Sequence, residues 1–395
     1  MKTRTVQLGE VAEIGAGQGA PQDAAAFSRE GHAFIRAGSL EILCNLGSLT
    51  LLERVSEHVA GKHRLRLYPE NTIVFARSGM SATKNRIYRL REPCYVVNHL
   101  ATVKPGTELN ATFLRYWFEY FDPTSLIQDP AYPSISQEDI AAVTLLLPPL
   151  PEQHRIAAML EEADRLRRTR RYALELSDSF LPATFLEMFG NNPFPYVALE
   201  ELATDDRNSF VNGPFGSDLL TSELTDSGVP VIYIRDISSG RYERTSSVFV
   251  TPAKAAELDF CNVKSGDILV AKVGDPPGIA AIYPSTEPDG IVTQDVIRIR
   301  PNIECVSAFY LQGFLNSRLA QWEMSKIMVE GTRLRFSLGQ FKELSVILPP
   351  LPLQQRFAEL VRGHEKLRAS QRESLRQVEH LFQSLLHQAF TEVSI

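Results

Sequence analysis

The stretch LPPLPEQHR at residues 147–155 returns as LPPLPLQQR at 348–356, 201 positions later. A phrase repeated over such an interval marks a chain built from two related units, which constrains the architecture before composition does. At this offset Leu147, Pro148, Pro149, Leu150, Pro151, Gln153, Arg155, Ala157, Leu166, Arg167, Arg171, Leu174 and Phe189 all recur as the same residue. The match runs back without a gap through SISQEDIAAVTL (134–145) and RFSLGQFKELSV (335–346). Upstream the echo weakens and the offset drifts, but the order holds. VQLGEVA aligns with VALEELA, FIRAGSL with YIRDISS, NTIVFARSG with GDILVAKVG, and VNHLATVKP with TQDVIRIRP. Each half is a variable part of roughly 145 residues followed by a more similar tail.

The tails read as helices. After each PPLP, apolar residues fall at helical spacing among polar ones. In the first tail they are Ile156, Met159, Ala163, Leu166, Ala173 and Phe180; in the second, Phe357, Leu360, Leu367, Val378, Leu381 and Leu385. Pro151 and Pro352 suit the first helical position, where a missing N–H costs nothing. The stripe is narrow, so each helix needs a long partner, and the obvious partner is the other tail. Arg170 and Gln371 interrupt the seam. Pro182 is expected to break or kink the first helix after about 28 residues, ~42 Å of helix.

The variable parts read as short strands. AFIRAG, NTIVFARS and CYVVNHLATVKP in the first half, and VPVIYIRDI, GDILVAKV and DVIRIRP in the second, are β-rich runs bounded by Gly, Pro, Asn or Asp. Helical segments follow, NATFLRYWFEYF and SAFYLQGFLNSRLAQW. An α+β module with a curved antiparallel sheet fits this order.

Chemistry is sparse. No phosphate-binding GxxxxGK[ST] loop, HExxH or GxSxG elbow occurs. No His/Cys spacing suggests a metal, and no catalytic set can be assembled. DPPG at 275–278 resembles the Asp-Pro-Pro-aromatic motif of amino-methyltransferases, but Gly278 stands where the aromatic belongs, and a turn between strands is expected. Cys44, Cys94, Cys261 and Cys305 are scattered, which fits a reducing cytoplasm. No apolar run reaches membrane-span length, and the N-terminus has no signal-peptide core, so a cytoplasmic protein with no membrane association is expected. Net charge is −6, against a general nucleic-acid binder, yet residues 61–91 carry eight Lys and Arg and a single Glu. The pattern favours binding over turnover.

Two α+β modules alternating with two helices, each introduced by LPPLPxQ, resemble the specificity subunit of type I restriction–modification systems. The likeness rests on LPPLPEQHRIA, its copy LPPLPLQQRFA, GPFGSDL (213–219), and PVIYIRDI followed by GDILVAKVG and IAAIYP. The first half departs from this pattern, with GAGQGAPQ for VNGPFGSDL and ARSGMSATKNRIY for AKVGDPPGIAAIY.

The resemblance implies an α+β fold with a pseudo-two-fold internal repeat. Two α/β target recognition domains with mixed curved sheets would be separated by two long antiparallel helices forming a coiled coil. The expected divisions are a first recognition domain at 1–147, a central helix region at 148–190, a second domain at 191–348 and a C-terminal helix region at 349–395. Each domain would read one half of a bipartite site on double-stranded DNA. The chain would be non-catalytic and bind no cofactor itself. It would direct two modification subunits, which use S-adenosylmethionine to methylate adenine, and restriction subunits would complete the assembly for cleavage. A module of a related phage-defence system, or a coiled-coil adaptor with no DNA role, are the alternatives.

Base readers need polar and basic side chains at loop tips on a rigid scaffold. In the first module these are Arg77, Ser78, Ser81, Thr83, Lys84, Asn85 and Arg86 after a strand, with Asn98, His99, Tyr132 and Ser134 as secondary choices. In the second they are Ser217, Arg235, Lys272, Gln294, Arg333 and Arg335. Arg235 and Arg298 are equally compatible with surface ion pairs. Trp117 reads as core, Phe210 as core or partner surface, and Gly213 and Gly216 as points of close backbone approach.

Overall fold

The computed structural model describes residues 3–46, 48–191, 193–214, 216, 218–329 and 334–391. The chain forms two compact units, Met1–Tyr172 with Arg372–Ile395, and Ala173–Gln371. Both divisions fall inside long helices, Leu150–Phe189 and Leu351–Thr391, so each unit holds one variable module and one segment of each helix.

The run IVFA explains the layering of the first unit. All four residues of the strand Ile73–Ala76 are buried. Alternation of side chains sends Ile73 and Phe75 into one core and Val74 and Ala76 into another. A strand covered on both faces reads as a continuous apolar run. It lies in an antiparallel sheet ordered Ala12–Ala16, Leu100–Pro105, Ile73–Ala76, Tyr88–Arg89. A second sheet is ordered Arg54–Val55, His32–Ile35, Cys94–Val96, Leu67–Tyr68. On the other side packs the helix Ala111–Phe121, capped by Asn110, whose Oδ1 accepts from the Phe113 N–H at 2.9 Å. Trp117 is buried there, as its sequence context suggested.

The second unit repeats this plan. Ile268 and Val270 of the strand Ile268–Ala271 enter one core, Leu269 and Ala271 the other. Its first sheet is ordered Phe210–Asn212, Val296–Ile299, Ile268–Ala271, Ala280–Ile282. Short antiparallel pairs close each module, Arg4–Gln7 on Thr144–Leu147 and Tyr196–Ala198 on Ser345–Ile347.

Three expectations need correction. The curved antiparallel sheet read from the strand order gives way in each unit to two main sheets, one of them mixed as the resemblance implied: Phe34 pairs Tyr95, and Val231 pairs Ile291, in parallel. The run CYVVNHLATVKP is not one strand; it leaves one sheet at Val96 and enters the other at Leu100. The first long helix is not broken at Pro182; it runs through this exposed residue to Phe189. Phe185 and Phe189, buried against Tyr310 and Phe357, hold the final turns in place.

The helix seam follows the stripe read in the sequence at Ile156, Ala163 and Phe357 and leaves it elsewhere. Leu166, Leu360, Leu367 and Leu381 are all exposed. The buried rows are Gln153, Ile156, Ala157, Leu160 and Ala163 in the first helix, and Gln354, Phe357, Ala358, Val361 and His364 at the same positions of the second. Within each unit the two segments run antiparallel. In the first, Arg167 stacks over Phe382 at 3.7 Å and Arg171 pairs Glu379 at 2.9 Å. In the second, Phe185 meets Phe357 and Ser177 Oγ lies 2.9 Å from His364 Nε2.

Candidate nucleic-acid interface

In the first unit the polar loops meet where the strand Ile73–Ala76 ends and Leu100–Pro105 begins. The Arg77 N–H donates to the His99 carbonyl at 2.9 Å, and the Ile135 N–H donates to the Arg77 carbonyl at 2.8 Å. Ser78 bridges Ser134, and the Gly79 N–H donates to Pro133 at 3.0 Å. Three segments from distant parts of the module are thereby laced side by side. On them Arg77 Nε donates to the Ile135 carbonyl at 3.1 Å, and Ser78 Oγ lies 2.8 Å from His99 Nδ1. The Asn98 N–H is held by the Gln18 carbonyl at 2.9 Å, which leaves the Asn98 side chain exposed. Tyr132, 81% exposed, extends the same edge.

The loop after Arg77 does not form one patch. Gly79 turns at φ 73° into the short 3-10 turn Met80–Thr83, where Thr83 Oγ1 donates to the Met80 carbonyl at 2.9 Å. Ser81 is half-buried, and Thr83 and Lys84 are exposed. Asn85 and Arg86 turn back onto the module instead. Asn85 Nδ2 donates to the Glu119 carbonyl at 3.3 Å, and Arg86 pairs with Glu41 at 2.9 Å.

The second unit builds the same frame from different residues. The Lys272 N–H donates to the Asp295 carbonyl at 2.9 Å, where Arg77 donates to His99. Val273 pairs Arg335, where Ser78 pairs Ser134. Gly213 N–H donates to Thr293 at 3.2 Å beside the exposed Gln294. Lys272, Gln294 and Arg335 therefore take the places of Arg77, Asn98 and Ser134. Ser217 and Arg333 lie outside the described residues.

Arg235 sits in a neighbouring turn, its Nε donating to Ser246 Oγ at 2.6 Å and its guanidinium 4.6 Å from the Tyr233 ring centroid. It is no ion pair. The turn is anchored by buried Asp236, which accepts from the N–H groups of Tyr233, Thr245 and Ser246. Burial opposes ionisation of Asp236, but these donors hold its carboxyl below the usual range. Tyr233 and Gln294 line one cleft of about 250 Å³, shared with Pro214, Gly216 and Asp295.

The basic stretch at 61–91 is only partly available. Arg66 pairs Glu13 at 2.6 Å, Arg89 approaches Glu161 at 3.9 Å, and Arg86 is paired as above. Lys62, Arg64, Lys84 and Arg91 have no ion-pair partner among the described residues. Arg298 is not a surface residue at all. It is fully buried, 4.0 Å from Asp267, with Nη2 donating to the Phe260 carbonyl. Burial first, and the adjacent Arg300 second, push its pKa below the ordinary arginine value.

Sequence reading missed the residue that ties each module to its helix. Gln153 Oε1 accepts from the Asn110 N–H at 2.8 Å, and its Nε2 donates to the carbonyls of Glu108 and Pro148 at 2.9 and 2.8 Å. Gln354 accepts from the Ser307 N–H at 2.8 Å and donates to Cys305 and Pro349 at 3.3 and 2.8 Å. The identity of this glutamine across the repeat was visible, but its burial was not. Among the described residues no group of three His, Cys, Asp or Glu could hold a metal, and no helix is long and apolar enough to cross a membrane.

A family model described as the type I restriction modification DNA specificity domain matches twice, at residues 2–176 and 216–380. No curated protein matches the chain. Among solved structures, a chain from work on complex assembly and conformational transition of the type I R-M system superposes with TM-score 0.60 at 16% identity, covering 98% of this chain and 97% of that one. The type I restriction-modification S subunit from M. genitalium gives TM-score 0.58 at 14% identity, covering 99% and 96%. At such identities the likeness is one of fold.

Proposed function

The chain belongs to the type I restriction modification DNA specificity family, and from that premise we propose that it reads a bipartite site on double-stranded DNA for partner subunits that do the chemistry. Each module contacts one half-site with the edge described above. The observation that carries this reading is one hydrogen-bonded frame presented twice with different side chains, Arg77, Asn98 and Ser134 against Lys272, Gln294 and Arg335. A constant frame holds the readers, and changed residues select different bases. His99, Tyr132 and Ser78 supplement the first edge, Arg235 the second, and Lys84 is placed for a phosphate.

The chain itself is non-catalytic in this reading. Two modification subunits, carrying S-adenosylmethionine, methylate adenine, and restriction subunits join them. Leu166 and Leu367 favour two equivalent partners. They are the same residue at the same position of the repeat, and both are exposed, at 41% and 58%.

Filter binding over a salt series, with a cognate adenine methyltransferase present, tests the proposal. Affinity should fall steeply and linearly in log salt, as phosphate contacts release counterions. A flat response would favour an adaptor with no DNA role.

A further inference from the structure

Gln153 and Gln354 are 1% and 0% exposed, and each places three hydrogen bonds at the corner where a module becomes a helix. The groups they join are equivalent. In each unit one bond reaches the carbonyl of the first Pro after the closing strand, and two reach the loop that caps the module helix, at Glu108 and Asn110 or at Cys305 and Ser307. Buried amides with every bond made rigidify what they join.

The remaining contacts between module helix and long helix differ between the units. In the first unit Phe113 and Tyr116 meet Phe390 and Phe382, with ring centroids 5.2 and 6.0 Å apart, and ion pairs are added to these contacts. Arg115 pairs Asp164 at 2.9 Å, Arg167 pairs Glu119 at 2.6 Å, and the Tyr116 hydroxyl donates to Asp164 at 3.3 Å. In the second Tyr310 meets Phe185 and Phe189 and Arg362 stacks over Phe309, with no ion pair between module helix and long helix among the described residues. The glutamine corner is shared, so it answers a requirement common to both modules.

We propose that Gln153 and Gln354 are positioning residues that fix the direction of each reading module on its helix, and thereby set how strictly the distance between the two half-sites is enforced. This rests on the bipartite reading above. One extra base pair moves a half-site by about 3.4 Å and turns it by about 35°, since a turn of roughly 34–36 Å holds 10–10.5 base pairs. A module locked at its corner cannot follow that turn. A module that swivels can.

The test uses the full chain assembled with its methyltransferase subunits, on DNA libraries carrying the native half-sites at spacers from two base pairs shorter to two longer. Methylation is read by sequencing. For Gln153→Ala and for Gln354→Ala, the preference for the native spacer over one base pair more or less should fall about tenfold, with the bases read in both half-sites unchanged. If either alanine variant is insoluble, Gln153→Glu, which keeps the acceptor for the Asn110 N–H and loses both donations, is measured instead with the same expectation. A preference within twofold of wild type overturns the proposal. So does an equal loss of methylation at every spacer, a change in the bases read, or insolubility of all three variants, which would make the role structural only. A wild-type complex that methylates no bipartite site overturns the underlying reading and the proposal with it.

Discussion

Gly17 lies so close to the strand Cys94–Val96 that a Cβ on it would fall 2.1 Å from the Val96 carbonyl oxygen. Gly213 stands in the same relation to Val292, at 2.0 Å. Both crowding atoms are backbone, so neither site can yield by a rotamer change. Gly17→Ala and Gly213→Ala should each destabilise the protein by ~3 kcal/mol in urea unfolding, at the upper end of overpacking costs. Gly19→Ala, where nothing lies within 4 Å, should stay within about 0.5 kcal/mol of wild type. Equal effects at Gly17 and Gly19 would contradict the close approach.

The fully paired carboxylate of Asp164 gives a pH signature. Burial would raise its pKa, but Arg115, Arg167 and Arg168 overcome this and hold it at about 2, below its ordinary 3.8. A depressed folded-state pKa contributes stability above the unfolded value and loses it as pH falls through the folded one. The contribution, ~2 kcal/mol, should therefore be complete above about pH 5 and fade from about pH 4 toward 2. Asp164→Asn should cost ~3 kcal/mol at neutral pH, because Arg115 and Arg167 are left without it. Its deficit should shrink over that acid window. A deficit independent of pH would rule out the charge as the cause.

Pro182 sits exposed inside a continuous helix. Replacing it by Ala restores one backbone bond and removes no packing, so Pro182→Ala should raise stability by ~2 kcal/mol, within the interior-helix penalty of proline. Lower stability on thermal or denaturant unfolding would show that the ring is used.

The two ends of the first basic loop should behave differently on DNA. Arg77 is tied through Nε to Ile135, which aims the remaining guanidinium nitrogens. Arg77→Ala should cost ~1–3 kcal/mol and relax preference at one position of the first half-site only. Lys84→Ala should weaken all sequences alike and reduce the salt slope by about one. Arg86→Ala should do less than either, because Arg86 is occupied by Glu41. Binding to a randomised half-site across a salt series separates the three.

These residues also show what the sequence could and could not convey. The repeat was legible because identical residues recur at one offset, and the strands because IVFA and ILVA are apolar without interruption. Proline in a helix misled because local propensity says nothing of Phe185 and Phe189, which hold the helix from beyond it. The seam was legible only in part, because residue type does not separate the leucines that stay exposed, such as Leu166 and Leu367, from the buried positions Ile156, Ala163 and Phe357 of the same stripe. Among the site residues, Arg77, Ser78, Asn98, His99, Tyr132 and Ser134 converge through backbone bonds between distant segments. Arg86 and Asn85 look alike in the sequence and turn away, because Glu41 and Glu119 are contributed by other parts of the module. Arg298 shows the limit of residue type as a guide, being buried where a surface cation was thought possible.

The most direct test of the central claim exchanges residues 1–145 for the corresponding module of a family member with a known target and maps methylated adenines in cells carrying the hybrid. The account predicts that the first half-site changes to the donor's while the second half-site and the spacer length stay as they were. Methylation of the original, unchanged site by the hybrid would contradict it.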